Sequence, residues 1–158
     1  MEQKNYITIE GYKQIKEELH DLVTKSRPIL VNTITWAAGN GDRSENGDYI
    51  YGKKQLREID KKIYLLTKKL ETAEVIDPKV HMGSEKIFFG ATVTILRNNS
   101  IEQVIKIVGQ DEVNTALNHI SWKSPLSRLL LNKTVGDSFL LHLPKGDDLI
   151  EILEVSYK

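Results

Sequence analysis

Three carboxylates fall within one short polar run, Gly39-Asn40-Gly41-Asp42-Arg43-Ser44-Glu45-Asn46-Gly47-Asp48, between two long helical patterns. Asp42 and Glu45 are three residues apart, a spacing that brings both oxygens to one side of a helical turn. Two chemistries are open to them. Asp42 can accept from backbone N–H groups at the start of the second helix while Glu45 reaches back, a capping box that the helix dipole also favours. The pair can instead face outward and share a divalent cation with another molecule's site. Magnesium takes six oxygens, so two carboxylates leave the rest to water, phosphate or a second protein. An EF-hand calcium loop is excluded: Asp42, Ser44, Asn46 and Gly47 fit its early positions, but Lys53 stands where the bidentate Glu is needed.

Base follows the acid. From Lys53 to Lys69 the basic residues are Lys53, Lys54, Arg57, Lys61, Lys62, Lys68 and Lys69, against Glu58 and Asp60. With Leu56 at heptad position a, Lys54, Lys61 and Lys68 fall at f and Arg57 at b, all on the outer face. Such a face is either a solvated coiled-coil surface or a stripe that tracks the phosphates of a single strand whose end lies near a metal. The histidines, His20, His81, His119 and His142, have neither metal-ligand spacing nor a triad partner.

The elements that must position these groups are two helices and a β-rich lobe. Thr8 is a candidate N-cap, followed by apolar Ile15, Leu19 and Leu22, with Ile29 and Trp36 continuing the same seven-residue frame and Ser26 and Thr33 interrupting it. Pro28 removes one backbone hydrogen bond and is expected to bend this helix without ending it. The second helix shows a coiled-coil seam at Leu56, Ile59, Ile63, Leu66, Leu70 and Ala73. Only the Gly-rich run separates the patterns, which predicts an antiparallel hairpin whose apolar stripes bury one another. An arm of roughly 29 residues at about 1.5 Å each makes a rod of about 40 to 45 Å with the acids at its tip.

After Asp77-Pro78 the pattern becomes short apolar runs with turn signals: Ile87 to Phe89, Ala91 to Leu96, Ile101 to Val108, Phe139 to Leu143 and Leu149 to Val155. Ser124 and Pro125 read as N-cap and first position of a short helix. The expected class is α+β, with a coiled-coil hairpin over residues 1–76, a tip near 39–48, a linker at 77–86 and a second domain over 87–158. The 158 residues carry 22 basic and 22 acidic side chains, which excludes nucleic-acid binding driven by bulk charge and leaves local patches open. There is no cysteine, so no disulfide framework or thiolate metal site is possible. No apolar stretch approaches the ~20 residues of a membrane span, and Met1-Glu2-Gln3-Lys4-Asn5 is not a secretory signal, so a soluble intracellular protein is expected.

Several stretches carry a family resemblance. Arg27-Pro28, Thr35-Trp36-Ala37-Ala38, Gly41 to Asn46, Asp48-Tyr49 and Lys53 to Asp60 resemble the bacterial transcript-cleavage factors of the GreA/GreB family. The match continues at Phe88-Phe89-Gly90-Ala91, Ile107-Val108-Gly109, Asp111-Glu112, Ser124-Pro125-Leu126 and Val135-Gly136-Asp137. Arg43-Ser44-Glu45-Asn46 and Lys53-Lys54 are more similar to the GreB branch. Gly47 departs from the alanine usual in such tips, and glycine early in a helix costs up to about 1 kcal/mol.

The resemblance implies a coiled coil that enters the secondary channel of RNA polymerase and an FKBP-like antiparallel β-sheet domain with a short helix that holds the channel rim. It implies that Asp42 and Glu45, with Ser44 beside them, help hold the weakly bound second Mg2+ of the polymerase and orient the attacking water. The metal belongs to the polymerase and is not bound by the chain alone. Backtracked RNA is then cut endonucleolytically, the polymerase remaining the catalyst. Lys53, Lys54, Arg57 and Lys61 would guide the 3′ segment of that RNA, and Ser124 and Pro125 would face the polymerase. A cytoplasmic monomer is expected. The rivals are a regulator that blocks the channel without promoting cleavage and an FKBP-like prolyl isomerase or chaperone. The latter needs an aromatic-lined pocket, whereas Phe88, Phe89, Trp122, Phe139 and Tyr157 read as core.

Overall fold

Thr8 starts the first helix as its spacing predicts: its hydroxyl accepts from Gly11 N–H at 3.1 Å. The computed structural model describes residues 4–40 and 46–158. The chain forms two compact units, one of Tyr12–Thr72 and one of Met1–Gly11 with Ala73–Lys158. Residues 4–11 therefore group with the second unit and not with the hairpin, where they were expected, and residues 73–76 do so as well.

The helical unit has a long first arm made of α1 (Ile9–Asp21), a π-helical turn (Leu22–Ser26) and α2 (Arg27–Ala38), and a second arm, α3 (Gly47–Thr72). Pro28 has no N–H to donate, and its ring would strike the carbonyl four residues back, that of Thr24. The π turn ahead of it, in which Arg27 N–H reaches Leu22 O, takes up one extra residue and lets the helix run on. That extra residue moves the apolar frame forward by one. Ile29 and Trp36 thus leave the seam, 67% and 66% exposed, and Ile34 and Ala37 are buried in their place. Arg27 replaces Ser26 in the corrected frame, and its Nε bonds Asp60 on the other arm at 2.8 Å.

The arms are antiparallel: Glu18 pairs with Lys62 at 2.8 Å, Arg27 with Asp60, and Ile34 lies against Gly52. On α3 the seam of Leu56, Ile59, Ile63, Leu66 and Leu70 is buried or half-buried as expected. Ala73 is not part of it, because the helix stops at Thr72 and Ala73 opens a strand.

In the other unit, β1 (Asn5–Thr8) and β2 (Ala73–Ile76) form a parallel pair in register Asn5↔Ala73 to Thr8↔Ile76. The Glu112 carboxylate holds β1 in place, accepting from Thr8 N at 2.7 Å, from Gly109 N at 2.8 Å and from the Thr8 hydroxyl. Asn5 adds a bond to Asp111 at 3.1 Å. Only glycine fits at two neighbouring positions: a Cβ at Gly11 would lie 2.1 Å from Glu112 Oε1, and one at Gly109 would lie 2.1 Å from Tyr6 O.

The main sheet runs β5-β4-β3-β7-β6, with β3 Thr92–Arg97, β4 Ile101–Val108, β5 His119–Ser121, β6 Ser138–Leu143 and β7 Gly146–Ser156. It is mixed instead of wholly antiparallel, since the β4–β5 pair is parallel. The expected strand at Ile87–Phe89 is irregular chain that buries Ile87 and makes one isolated bridge, Lys86↔Thr134. Asn98 and Asn99 turn β3 into β4 with φ of 51° and 58°, a left-handed pair that asparagine tolerates. The core gathers Val93, Ile95, Ile105, Ile107, Leu141, Ile150 and Ile152 from the sheet with Leu130 from α4 (Pro125–Leu130). The expected linker at 77–86 is structured: Asp77 caps a 3₁₀ turn (Pro78–His81), Pro78 is buried, and His81 stacks on Phe88 at 4.3 Å.

Candidate functional site

The second arm of the hairpin starts from Asn46. Its Oδ1 accepts from Tyr49 N–H at 3.2 Å, the third helical position, and its Nδ2 donates to Ala37 O at 2.6 Å. One side chain thus caps α3 and also occupies a carbonyl at the end of α2, closing the hairpin. Asp42, Ser44 and Glu45 lie outside the described residues, as do Gly41 and Arg43. The capping-box reading of Asp42 and Glu45 falls on those residues; among the described ones, α3 begins at Gly47 and Asn46 caps it. Asn46 carries the usual signal, an Asn directly ahead of a helical run, that would have found it in the sequence. Asp48 adds a carboxylate to the first turn of α3, where the helix dipole favours it. A Cβ at Gly47 would meet nothing within 4 Å, so the position accepts alanine without a clash.

The sequence gives no hint of Gly52, which packs the arms together just behind the tip. It is buried, and a Cβ there would sit 2.8 Å from Ile34 Cγ1, so the close approach of the helices requires glycine.

Behind the tip, Lys53, Lys54, Arg57 and Lys61 are all exposed on α3. Among the described residues none of the four is in an ion pair, whereas Lys62 is held by Glu18 and Lys68 by Glu71 at 3.5 Å. The charges of the stripe are therefore available to an anionic ligand. Arg27 is spent elsewhere: its bond to Asp60 raises its own pKa and lowers that of the carboxyl.

In the other unit the hydroxyl of Ser124 accepts from Ser127 N at 3.2 Å and bonds the buried Ser127 hydroxyl at 3.0 Å, capping α4. Pro125 is exposed at the first helical turn. Phe88, Phe89, Trp122 and Phe139 pack against the core, and Tyr157 is part of it. Among the described residues no cluster of three or more His, Asp or Glu could hold a metal ion, and no helix is long and apolar enough to cross a membrane.

Comparison with known proteins decides the family. Residues 5–75 match the family model described as "Transcription elongation factor, N-terminal", and residues 82–157 match "Transcription elongation factor, GreA/GreB, C-term". The chain belongs to the GreA/GreB family. It is a transcription elongation factor, and such a factor acts on RNA polymerase. Transcription elongation factor GreB of Neisseria meningitidis serogroup B is 54% identical over 156 residues, covering 99% of this chain and 96% of its own. Transcription elongation factor GreB of Yersinia pestis is 40% identical over 158 residues, covering 100% and 92%. A solved GreA/GreB factor from Nitrosomonas europaea aligns over 99% of this chain and 100% of its own at 20% identity, with a TM-score of 0.44. The α+β class, with a helical region followed by a mixed sheet and a helix, is as expected for a GreA/GreB factor.

Proposed function

We propose that this GreA/GreB factor inserts its hairpin into the secondary channel of RNA polymerase and stimulates the polymerase's own endonucleolytic cleavage of backtracked RNA. The observation that carries the proposal is the row of exposed cations that follows the helix cap. Asn46 caps α3, and among the described residues Lys53, Lys54, Arg57 and Lys61 on the turns that follow are exposed and make no ion pair.

In this reading Asp42 and Glu45 offer hard oxygen donors to a Mg2+ that belongs to the polymerase, and Ser44 supplies a polar neighbour. A second divalent cation in a phosphodiester-cleaving centre stabilises the attacking and leaving oxygens. The chain's own part is to bring negative charge to the weaker cation position and to help hold the water in line. It is a cofactor of the polymerase, not an enzyme. Lys53, Lys54, Arg57 and Lys61 neutralise phosphates of the extruded RNA 3′ segment. Ser124 and Pro125, the latter exposed, belong to the face that meets the polymerase. The factor acts as a monomer in the cytoplasm.

A defined arrested complex tests this. Adding the chain should shorten the transcript from its 3′ end and restore extension on addition of nucleotides. Inhibited run-off synthesis without shortened transcripts would favour the channel-blocking rival. The isomerase rival has less to stand on, because the lobe's aromatic rings are committed to its core.

A further inference from the structure

Tyr51 presents its ring to solvent one turn from the cap of α3, 62% exposed. Among the described residues it has no ring, ion or hydrogen-bond partner. An aromatic this exposed leaves most of its ring free to meet a ligand. Its position relative to the charges gives it a use. Tyr51, Lys54 and Arg57 follow at steps of three residues and Lys61 at a further four, so that they form one continuous row of neighbours along the helix. All are exposed, and among the described residues none of these cations is in an ion pair.

A row of free cations that ends in a bare aromatic is the composition of a single-strand nucleic-acid site: the charges follow the backbone and the ring takes a base face, whatever the base. Trp36 is exposed to the same degree but lacks this company, because Arg27 is the one basic residue of α2 and is bound to Asp60. We propose that Tyr51 is the base-stacking platform of the hairpin, holding a nucleobase of the extruded RNA while Lys54, Arg57 and Lys61 hold its phosphates. This rests on the cleavage-factor reading and extends it: the row would grip the strand by a base as well as by charge, and so fix which phosphodiester is presented near the tip.

The test separates the base from the backbone. Arrested complexes are prepared with RNA whose extruded segment carries either normal nucleotides or abasic ribose phosphates, and stimulated cleavage is timed with the full chain and with Tyr51→Ala and Tyr51→Phe. Stacking on an aromatic is strong enough to predict about a five- to tenfold loss. The unaltered chain should cleave normal RNA faster than abasic RNA by that factor. Tyr51→Ala should slow cleavage of normal RNA by the same factor and leave abasic RNA unchanged, and Tyr51→Phe should restore the difference. An equal loss on both RNAs would overturn the platform and place the ring against protein, and no loss on either would overturn it too. Failure of the unaltered chain to stimulate cleavage of normal RNA would instead remove the function on which the platform rests.

Discussion

Asn46→Ala is the substitution that bears most directly on how the hairpin holds its tip. The side chain makes two bonds, accepting from Tyr49 N at 3.2 Å and donating to Ala37 O at 2.6 Å. Loss of an N-cap costs about 0.5–2 kcal/mol, and loss of a second hydrogen bond about 0.5–1.5 kcal/mol. Together they amount to about 1–3.5 kcal/mol of local stability, or about fivefold to a few hundredfold faster exchange of the Tyr49 amide through local opening. Hydrogen exchange resolved at single residues measures this, with amides in the middle of α3 as the internal reference. Asn46→Asp keeps the acceptor for Tyr49 N–H and loses the donor to Ala37 O, so its exchange rate should lie between the two. The same order, Asn above Asp above Ala, should appear in stimulated cleavage, while affinity for polymerase changes less. Unchanged Tyr49 exchange in Asn46→Ala would refute the reasoning.

Other expectations follow from the same geometry. Gly52→Ala puts a methyl 2.8 Å from Ile34 Cγ1 and should destabilise the hairpin by about 1–2 kcal/mol, an effect that Ile34→Ala in the same chain should relieve; additive losses in thermal melts would contradict the contact. Tyr157→Phe loses bonds to Phe88 N at 2.9 Å and Lys86 O at 2.6 Å and should cost about 1–3 kcal/mol in urea unfolding. Burial raises the Tyr157 pKa, so the fold holds this proton more tightly than the unfolded chain; that stability is complete below about pH 10, disappears as pH rises through the raised value, and should be missing from the pH profile of Tyr157→Phe. Lys54→Glu with Arg57→Glu should weaken action on long extruded RNA and flatten the plot of log rate against log salt by roughly 1.4, two contacts at about 0.7 each. An equal response of long and short RNA ends would make the stripe a solvated surface only.

The hairpin was legible because the seam from Leu56 to Leu70 repeats cleanly, and so were the short helix at Ser124-Pro125 and most strands of the sheet. The frame of the first arm was not. Ile29 and Trp36 fit an unbroken heptad, but Pro28 is accommodated by a π turn, and the frame shift this brings depends on backbone geometry that leaves no apolar signature. Nor was the membership of the first residues, since β1 and β2 are four residues each and pair across the whole hairpin, from Asn5 to Ala73. Their anchor, Glu112, stood in the sequence only as part of an acidic pair, and its three donors come from Thr8 and Gly109. The three-residue strand β5 is too short to show a period. At the site, the exposure of Lys54, Arg57 and Lys61 was readable from the heptad, whereas their lack of ion-pair partners among the described residues needed the packing of the two arms, in which Glu18 pairs with Lys62 and Arg27 with Asp60. The capping duty of Asn46 was hidden by the carboxylates beside it, which suit the same role.

One measurement reaches the central claim: stimulated cleavage of a defined backtracked complex by the chain carrying Asp42→Asn and Glu45→Gln, with polymerase binding followed in parallel. Both substitutions keep size and shape and remove the charge that the proposed function brings to the polymerase's cation. Binding should be retained and cleavage should fall to the unstimulated rate of the polymerase alone. Undiminished cleavage by the doubly substituted chain would contradict the delivery of those two carboxylates to a metal held by another protein.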